Sequence, residues 1–92
     1  MIKTFRHKGL QDFFETGSKA GIQPHHAGKL RLLLTALDNA KRADDMSAPS
    51  WKLHSLLGDL ANHYAVTVNG NWRLTFKFEG EHAELVDYQD YH

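Results

Sequence analysis

The sequence closes on Asp87-Tyr88-Gln89-Asp90-Tyr91-His92, so its last residue joins an imidazole and a free carboxylate on one backbone unit. Asp90, Tyr91 and His92 together supply proton donors and acceptors. Such a cluster does chemistry only if it is held in place, and the apolar run from Ala83 to Val86 just before it could tie it into a sheet. The bland alternative is a solvated tail that caps a final strand.

The elements that must do the positioning can be read from periodicity. Ile2 to Phe5 suits an edge or joining strand. Leu10, Phe13 and Phe14 fall at helical spacing, with Gly17 as a stop signal. Pro24 opens a longer helix whose apolar stripe is Ala27, Leu30, Leu33, Leu34 and Leu37. His25 and His26 are expected to begin it in solvent. The stretch Asp44 to Ser50 loses the period and reads as a connector.

From Trp51 onward the period is two. Tyr64, Val66 and Val68 alternate with Ala65 and Thr67, and Trp72, Leu74, Phe76 and Phe78 alternate with Arg73, Thr75, Lys77 and Glu79. Keeping the apolar bulk on one face predicts a three-residue loop that sets Val68 opposite Trp72, Val66 opposite Leu74 and Tyr64 opposite Phe76. Asn71 would then take the left-handed position. A second, two-residue turn at Glu79-Gly80 would pair Phe76 with Ala83, Leu74 with Leu85 and Arg73 with Val86. The other face would gather Thr67, Arg73, Thr75, Lys77, His82, Glu84 and Tyr88, with Asp90 and His92 sharing that parity. The expected fold is α+β: an antiparallel-rich sheet with two N-terminal helices on one face and the polar face open to a partner.

Bulk properties narrow the classes. Ninety-two residues are read as a single domain, residues 1–92, with no repeat. The absence of cysteine excludes disulfides, thiolate metal sites and cysteine nucleophiles, and makes the cytosol the simplest compartment. Charge interrupts every apolar stretch of the opening residues, which fit neither a signal peptide nor a membrane span. Eleven basic residues balance eleven acidic ones, unlike a generic nucleic-acid binder, although seven histidines can add positive charge as pH falls.

Taken jointly, Trp51-Lys52-Leu53-His54 with Leu56-Leu57-Gly58-Asp59 after it, Val68-Asn69-Gly70-Asn71-Trp72-Arg73-Leu74-Thr75-Phe76 and the ending Asp87 to His92 resemble the HigB toxins of the RelE superfamily. The likeness runs over essentially the whole chain. It implies a RelE-like fold and a toxin of a type II toxin-antitoxin system that cuts messenger RNA in the ribosomal A site. It also implies a HigA-like helix-turn-helix antitoxin, contact with operator DNA only through that antitoxin, no membrane partner, and neither cofactor nor metal. Cleavage of this kind can use the neighbouring 2′-hydroxyl as nucleophile. It then needs a base, an acid for the leaving oxygen and a cation for the phosphorane charge.

By the resemblance, His54 transfers a proton, Arg73 holds the scissile phosphate with its planar fork, Tyr91 stacks on a base or orients the backbone, and His92 does acid or base work. Asp90 would orient an imidazole or act as base. Lys52, Lys77 and His82 would be auxiliary RNA contacts. The bland alternative for Arg73 is an ion pair with Glu84 or Asp87. Two departures stand out: relatives carry a basic residue in the loop after Lys-Leu-His, where this chain has Leu57 and Leu60, and relatives are strongly basic.

A competing reading is a non-catalytic module that binds its antitoxin and acts in transcriptional autoregulation. Metal binding through His25-His26, or through the terminal carboxylate with His54, has little support. Adjacent helical histidines point apart, and no i, i+4 histidine pair exists.

Overall fold

The computed structural model describes residues 1–58 and 62–90. Two helices, α1 (Lys8–Thr16) and α2 (Ala27–Asn39), precede four antiparallel strands, β1 (His54–Ser55), β2 (His63–Asn69), β3 (Trp72–Glu79) and β4 (His82–Asp90), which lie side by side in chain order. This is the expected α+β arrangement.

Both helices form where the apolar spacing places them. At the start of α1, His7 Nδ1 accepts the Leu10 N–H at 3.0 Å. The helix ends at Gly17, which is left-handed (φ 82°) and returns its N–H to the Phe13 carbonyl at 2.9 Å, the usual way of satisfying an orphan carbonyl. Pro24 starts a short 3₁₀ turn that runs into α2. Leu30, Leu33, Leu34 and Leu37 of α2 are buried together with Leu10, Val66, Leu74, Phe76 and Val86. Each such side chain contributes about 1.5–3 kcal/mol by leaving water. The connector after α2 is not wholly polar in role: it holds a 3₁₀ turn whose Met46 is fully buried.

Helix α1 approaches the loop before α2 closely. A Cβ on Gly9 would lie 2.6 Å from the Gly21 carbonyl oxygen, and one on Gly21 would lie 2.5 Å from the Gly9 Cα. Only glycine at both positions permits this contact.

The residues before α1 run parallel to β4. Lys3 and Arg6 donate to the Ala83 and Val86 carbonyls at 2.8 and 2.9 Å, while Ala83 and Val86 donate back to Met1 and Thr4 at 3.0 and 3.1 Å. The Ile2 N–H is also held by Asp38 of α2 at 2.9 Å. The expected joining strand is therefore the cover of the β4 edge.

The β2–β3 register follows the alternation over most of its length: Tyr64 faces Phe76, Val66 faces Leu74 and Thr67 faces Arg73. At the tip it departs from the expected three-residue loop. Asn69, not Val68, stands opposite Trp72; Val68 is an extra residue in a bulge, and Gly70-Asn71 makes a two-residue turn. Gly70 is left-handed (φ 56°) and Asn71 is not. The bulge lets the favoured short turn coexist with a single apolar face.

The second hairpin is offset from expectation. Its turn is Gly80-Glu81, with Gly80 at φ 63°, so Glu79 faces His82, Phe78 faces Ala83 and Lys77 faces Glu84. The register then shifts. Leu85, at φ 54°, is the extra residue, and beyond it Thr75 faces Asp87, Leu74 faces Tyr88, Arg73 faces Gln89 and Trp72 faces Asp90. This bulge reverses which residues of β4 look toward the helices. Tyr88, expected on the polar face, lies in the core at 3% exposure, and Asp90 takes the parity of Trp72. Asp87 and Gln89 take the places beside Thr75 and Arg73.

Candidate active site on the open face of the sheet

His54 stands on the short strand β1, opposite Ala65 of β2. The chain reaches it through Lys52, a left-handed residue (φ 54°), whose carbonyl accepts a hydrogen bond from His54 Nδ1 at 2.9 Å. A carbonyl can only accept, so the proton of the neutral ring sits on Nδ1 and the lone pair on Nε2. Nε2 is directed toward Arg73, whose Nη1 lies 3.5 Å away. Across the sheet His54 lines up with Ala65 of β2, small and fully buried, and then with Thr75 of β3, while Arg73, opposite Thr67, reaches it on the diagonal. The His54–Arg73 pair is thus built by cross-strand register: β1 on β2, β2 on β3.

The two residues line a cleft of about 360 Å³ together with Ser55, Leu56, Leu57, Thr75 and Gln89. Leu57 is 89% exposed at its lip. The cleft therefore combines a proton acceptor, a cation, two hydroxyls and an amide with two leucines. Gln89 is held from behind: its Nε2 donates to Asp87 Oδ2 at 2.7 Å, while Asp87 Oδ1 accepts the Tyr88 N–H at 2.8 Å. Directly across the strands Arg73 faces Gln89, and Glu84 faces Lys77.

On the reverse side of the same strands lies an aromatic cluster that the sequence reading missed. Trp72 and Tyr88 stack at 4.5 Å between ring centroids, His26 meets both edge-on at 5.6 and 5.9 Å, and His7 meets Tyr88 at 5.5 Å. His26 is 1% exposed, contrary to the solvated start expected for it. Its Nδ1 and the Tyr88 hydroxyl share a hydrogen bond. Burial, and next the charge of His25, push the His26 pKa below its usual value. Burial raises the Tyr88 phenol, opposed by a hydrogen bond from the Gln23 backbone and helped by the charge of Asp90. Trp72 and Tyr88 precede Arg73 and Gln89 in sequence, so this packing fixes two walls of the cleft.

The other expected site residues are distributed. Asp90 ends β4 on the opposite parity from Arg73, and its charge is felt by Tyr88. Tyr91 and His92 lie outside the described residues. Lys52 is exposed beside the cleft and serves it through its carbonyl. Lys77 is four residues along β3 from Arg73, roughly 13 Å; its Nζ is 3.8 Å from Glu79 Oε2, and it lines a separate cleft of about 390 Å³ with Arg42, Asn62 and Tyr64. His82, opposite Glu79, is farther still. Gln89 and Asp87 were not singled out, although a signal was present: apolar residues of β4 sit at 83 and 85, then at 86 and 88, and that change of parity marks the bulge.

Residues 3–92 match the family described as the RelE-like toxin of the type II toxin-antitoxin system HigB. The chain belongs to this family. Over 92 residues, the full length of both chains, it is 38% identical to the protein named endoribonuclease HigB of Proteus vulgaris. Among solved structures the HigB-like fold is similar to the YoeB-YefM complex from Staphylococcus aureus, with a TM-score of 0.64, 17% identity and coverage of 100% of this chain and 98% of that one. It is also similar to a YafQ mutant from E. coli, with a TM-score of 0.60, 16% identity and coverage of 98% and 93%. At such identities these two structures speak for the fold. No helix among the described residues of this HigB-like chain is long and apolar enough to cross a membrane.

Proposed function

We propose that this toxin is a cytoplasmic, ribosome-dependent endoribonuclease that cuts messenger RNA in the A site without a metal, and that a HigA-type helix-turn-helix antitoxin neutralises it. The observation that carries the reading is the His54 Nε2 lone pair turned toward Arg73 in a cleft on the open sheet face. The full-length similarity to a protein named an endoribonuclease supports it.

In this mechanism a substrate 2′-hydroxyl gives its proton to an imidazole, and its oxygen attacks the adjacent phosphorus. The P–O5′ bond then breaks as the leaving oxygen is protonated. His54 and His92 share these two transfers. Arg73 takes the charge that develops on the non-bridging oxygens, where a bidentate cation is most effective. Asp90 and Tyr91 orient the site. The products are a 2′,3′-cyclic phosphate and a 5′-hydroxyl.

The test is cleavage of ribosome-bound message, with growth arrest as the cellular readout. His54→Ala and Arg73→Ala should each abolish arrest while antitoxin binding and the fold persist. Deletion of His92 should do likewise. Full cleavage by the double variant, or strict dependence on a chelatable metal, would return the chain to the antitoxin-binding module. Arrest that persists when the antitoxin is co-expressed in excess would count against the pairing.

A further inference from the structure

We infer that Thr4 is a positioning residue for the site: it grips the Leu85 bulge through two acceptors and so sets the phase in which β4 meets Arg73. This deepens the ribonuclease reading and rests on it. Three observations lead to it.

The first is a pair of amides turned to one residue. Between Glu84, opposite Lys77, and Asp87, opposite Thr75, β4 sets Leu85 and Val86 against Phe76 alone. Successive N–H groups of a regular strand point to opposite edges, whereas at this bulge both point to Thr4. The Leu85 N–H donates to Thr4 Oγ1 at 2.8 Å and the Val86 N–H to the Thr4 carbonyl at 3.1 Å. A residue without a side-chain acceptor would offer the carbonyl alone.

The second is that Thr4 is itself anchored to both helices. On one side the Ile2 N–H is held by Asp38 of α2 at 2.9 Å. On the other, the Phe5 ring packs on Phe14 of α1 with centroids 5.6 Å apart. Ile2 is bridged to Ala83 and Phe5 to Val86, an odd step of three residues on both segments, and all four lie in or against the core. The opening residues therefore carry the same change of phase as the bulge. Water can satisfy the exposed Leu85 amide, but only an anchored acceptor ties the strand to the helices.

The third is what the bulge decides. Beyond it Gln89 faces Arg73 and lines the cleft, while Tyr88 stacks on Trp72 behind. Without the extra residue Tyr88 would stand across from Arg73, and the Asp87 carboxylate would turn toward the core. Tyr91 and His92 follow directly on this strand in the sequence.

The experiment measures single-turnover cleavage of ribosome-bound message by the wild type, Thr4→Val, Thr4→Ser and Gly9→Ala, with hydrogen exchange of the Leu85 amide followed by NMR. Valine keeps the shape and the carbonyl and removes the hydroxyl; serine returns it. Thr4→Val should speed Leu85 exchange and lower the cleavage rate by ~2- to ~12-fold, the ratio set by the net strength of one hydrogen bond, with apparent affinity for the ribosome unchanged. Thr4→Ser should restore both. Gly9→Ala weakens the fold away from β4 and should leave the rate of the folded protein as it is. An unaltered rate in Thr4→Val, a fall that serine does not reverse, or an equal fall in Gly9→Ala overturns the proposal.

Should the wild type cut no RNA, the cross-strand NMR contact between the Arg73 and Gln89 backbones decides instead. Its weakening in Thr4→Val and return in Thr4→Ser would keep Thr4 as the clamp of the bulge while the ribonuclease reading falls. An unchanged contact would remove both.

Discussion

His26 Nδ1 and the Tyr88 hydroxyl, 62 residues apart in the chain, meet at 2.5 Å in the interior. One comes from the turn that opens α2 and the other from the last strand, so the bond ties the helical layer to the sheet behind Arg73 and Gln89. Removing the hydroxyl leaves a buried ring nitrogen without a partner, which costs about 1–3 kcal/mol. Tyr88→Phe should lower stability by that amount in chemical denaturation and should weaken cleavage through looser placement of Gln89. An unchanged denaturation midpoint would refute the assignment.

The same bond has a pH signature. The folded state holds His26 neutral, with its pKa below 6.5, whereas the unfolded chain takes up a proton near that value. Stability contributed by His26 is therefore intact above pH 6.5 and is lost as pH falls from there toward the folded pKa. At the other extreme the raised Tyr88 pKa makes stability decline as pH rises through 10. Denaturation from pH 7.5 to 5 should show the wild type losing its advantage over His26→Leu. A constant difference would show that His26 does not titrate on unfolding.

Arg73→Lys should fail to restore cutting. Lysine keeps the charge but not the planar fork that grips two phosphate oxygens. His54→Ala should lower the rate by ~10²- to ~10⁴-fold. Single-turnover cleavage measures both, and a fully active lysine variant would reduce Arg73 to a point charge.

Leu85 offers a test of the bulge. At φ 54° a β-branched residue is more strained than leucine. Leu85→Ile should cost about 1–2 kcal/mol, and Leu85→Gly should keep the strand register. Backbone NMR contacts between Arg73 and Gln89 would follow that register; pairing of Arg73 with Tyr88 in the glycine variant would show that the side chain sets the bulge.

Gly9→Ala should destabilise by about 1–3 kcal/mol through overpacking, because its Cβ would meet the Gly21 backbone rather than a yielding side chain. Thermal unfolding reads this directly. Gly28→Ala, where a Cβ meets nothing within 4 Å, is the matched control.

The helices and the run of β2–β3 pairs from Tyr64 to Arg73 were legible in the sequence because burial on one side imposes a strict period. His54 and Arg73 were legible through motif resemblance, and register explains why they meet. Tyr88 and His26 were misread and Gln89 was passed over, for one reason. A bulge adds a residue without changing composition, so an alternation carried past Leu85 assigns every later side chain to the wrong face. His26 followed, since a histidine beside Pro24 reads as solvated until Tyr88 is known to point inward.

The pairing of residues 1–6 with 83–86 has a consequence for synthesis on the ribosome. Strand β4 emerges after every other described element, and the opening residues can find their hydrogen-bond partners only then. Until that moment the cleft lacks Gln89 and the aromatic backing of Arg73. A nascent chain therefore carries His54 and Arg73 out of the ribosome with their cleft incomplete, and the cleft is whole only once β4 has emerged and the chain can close on itself.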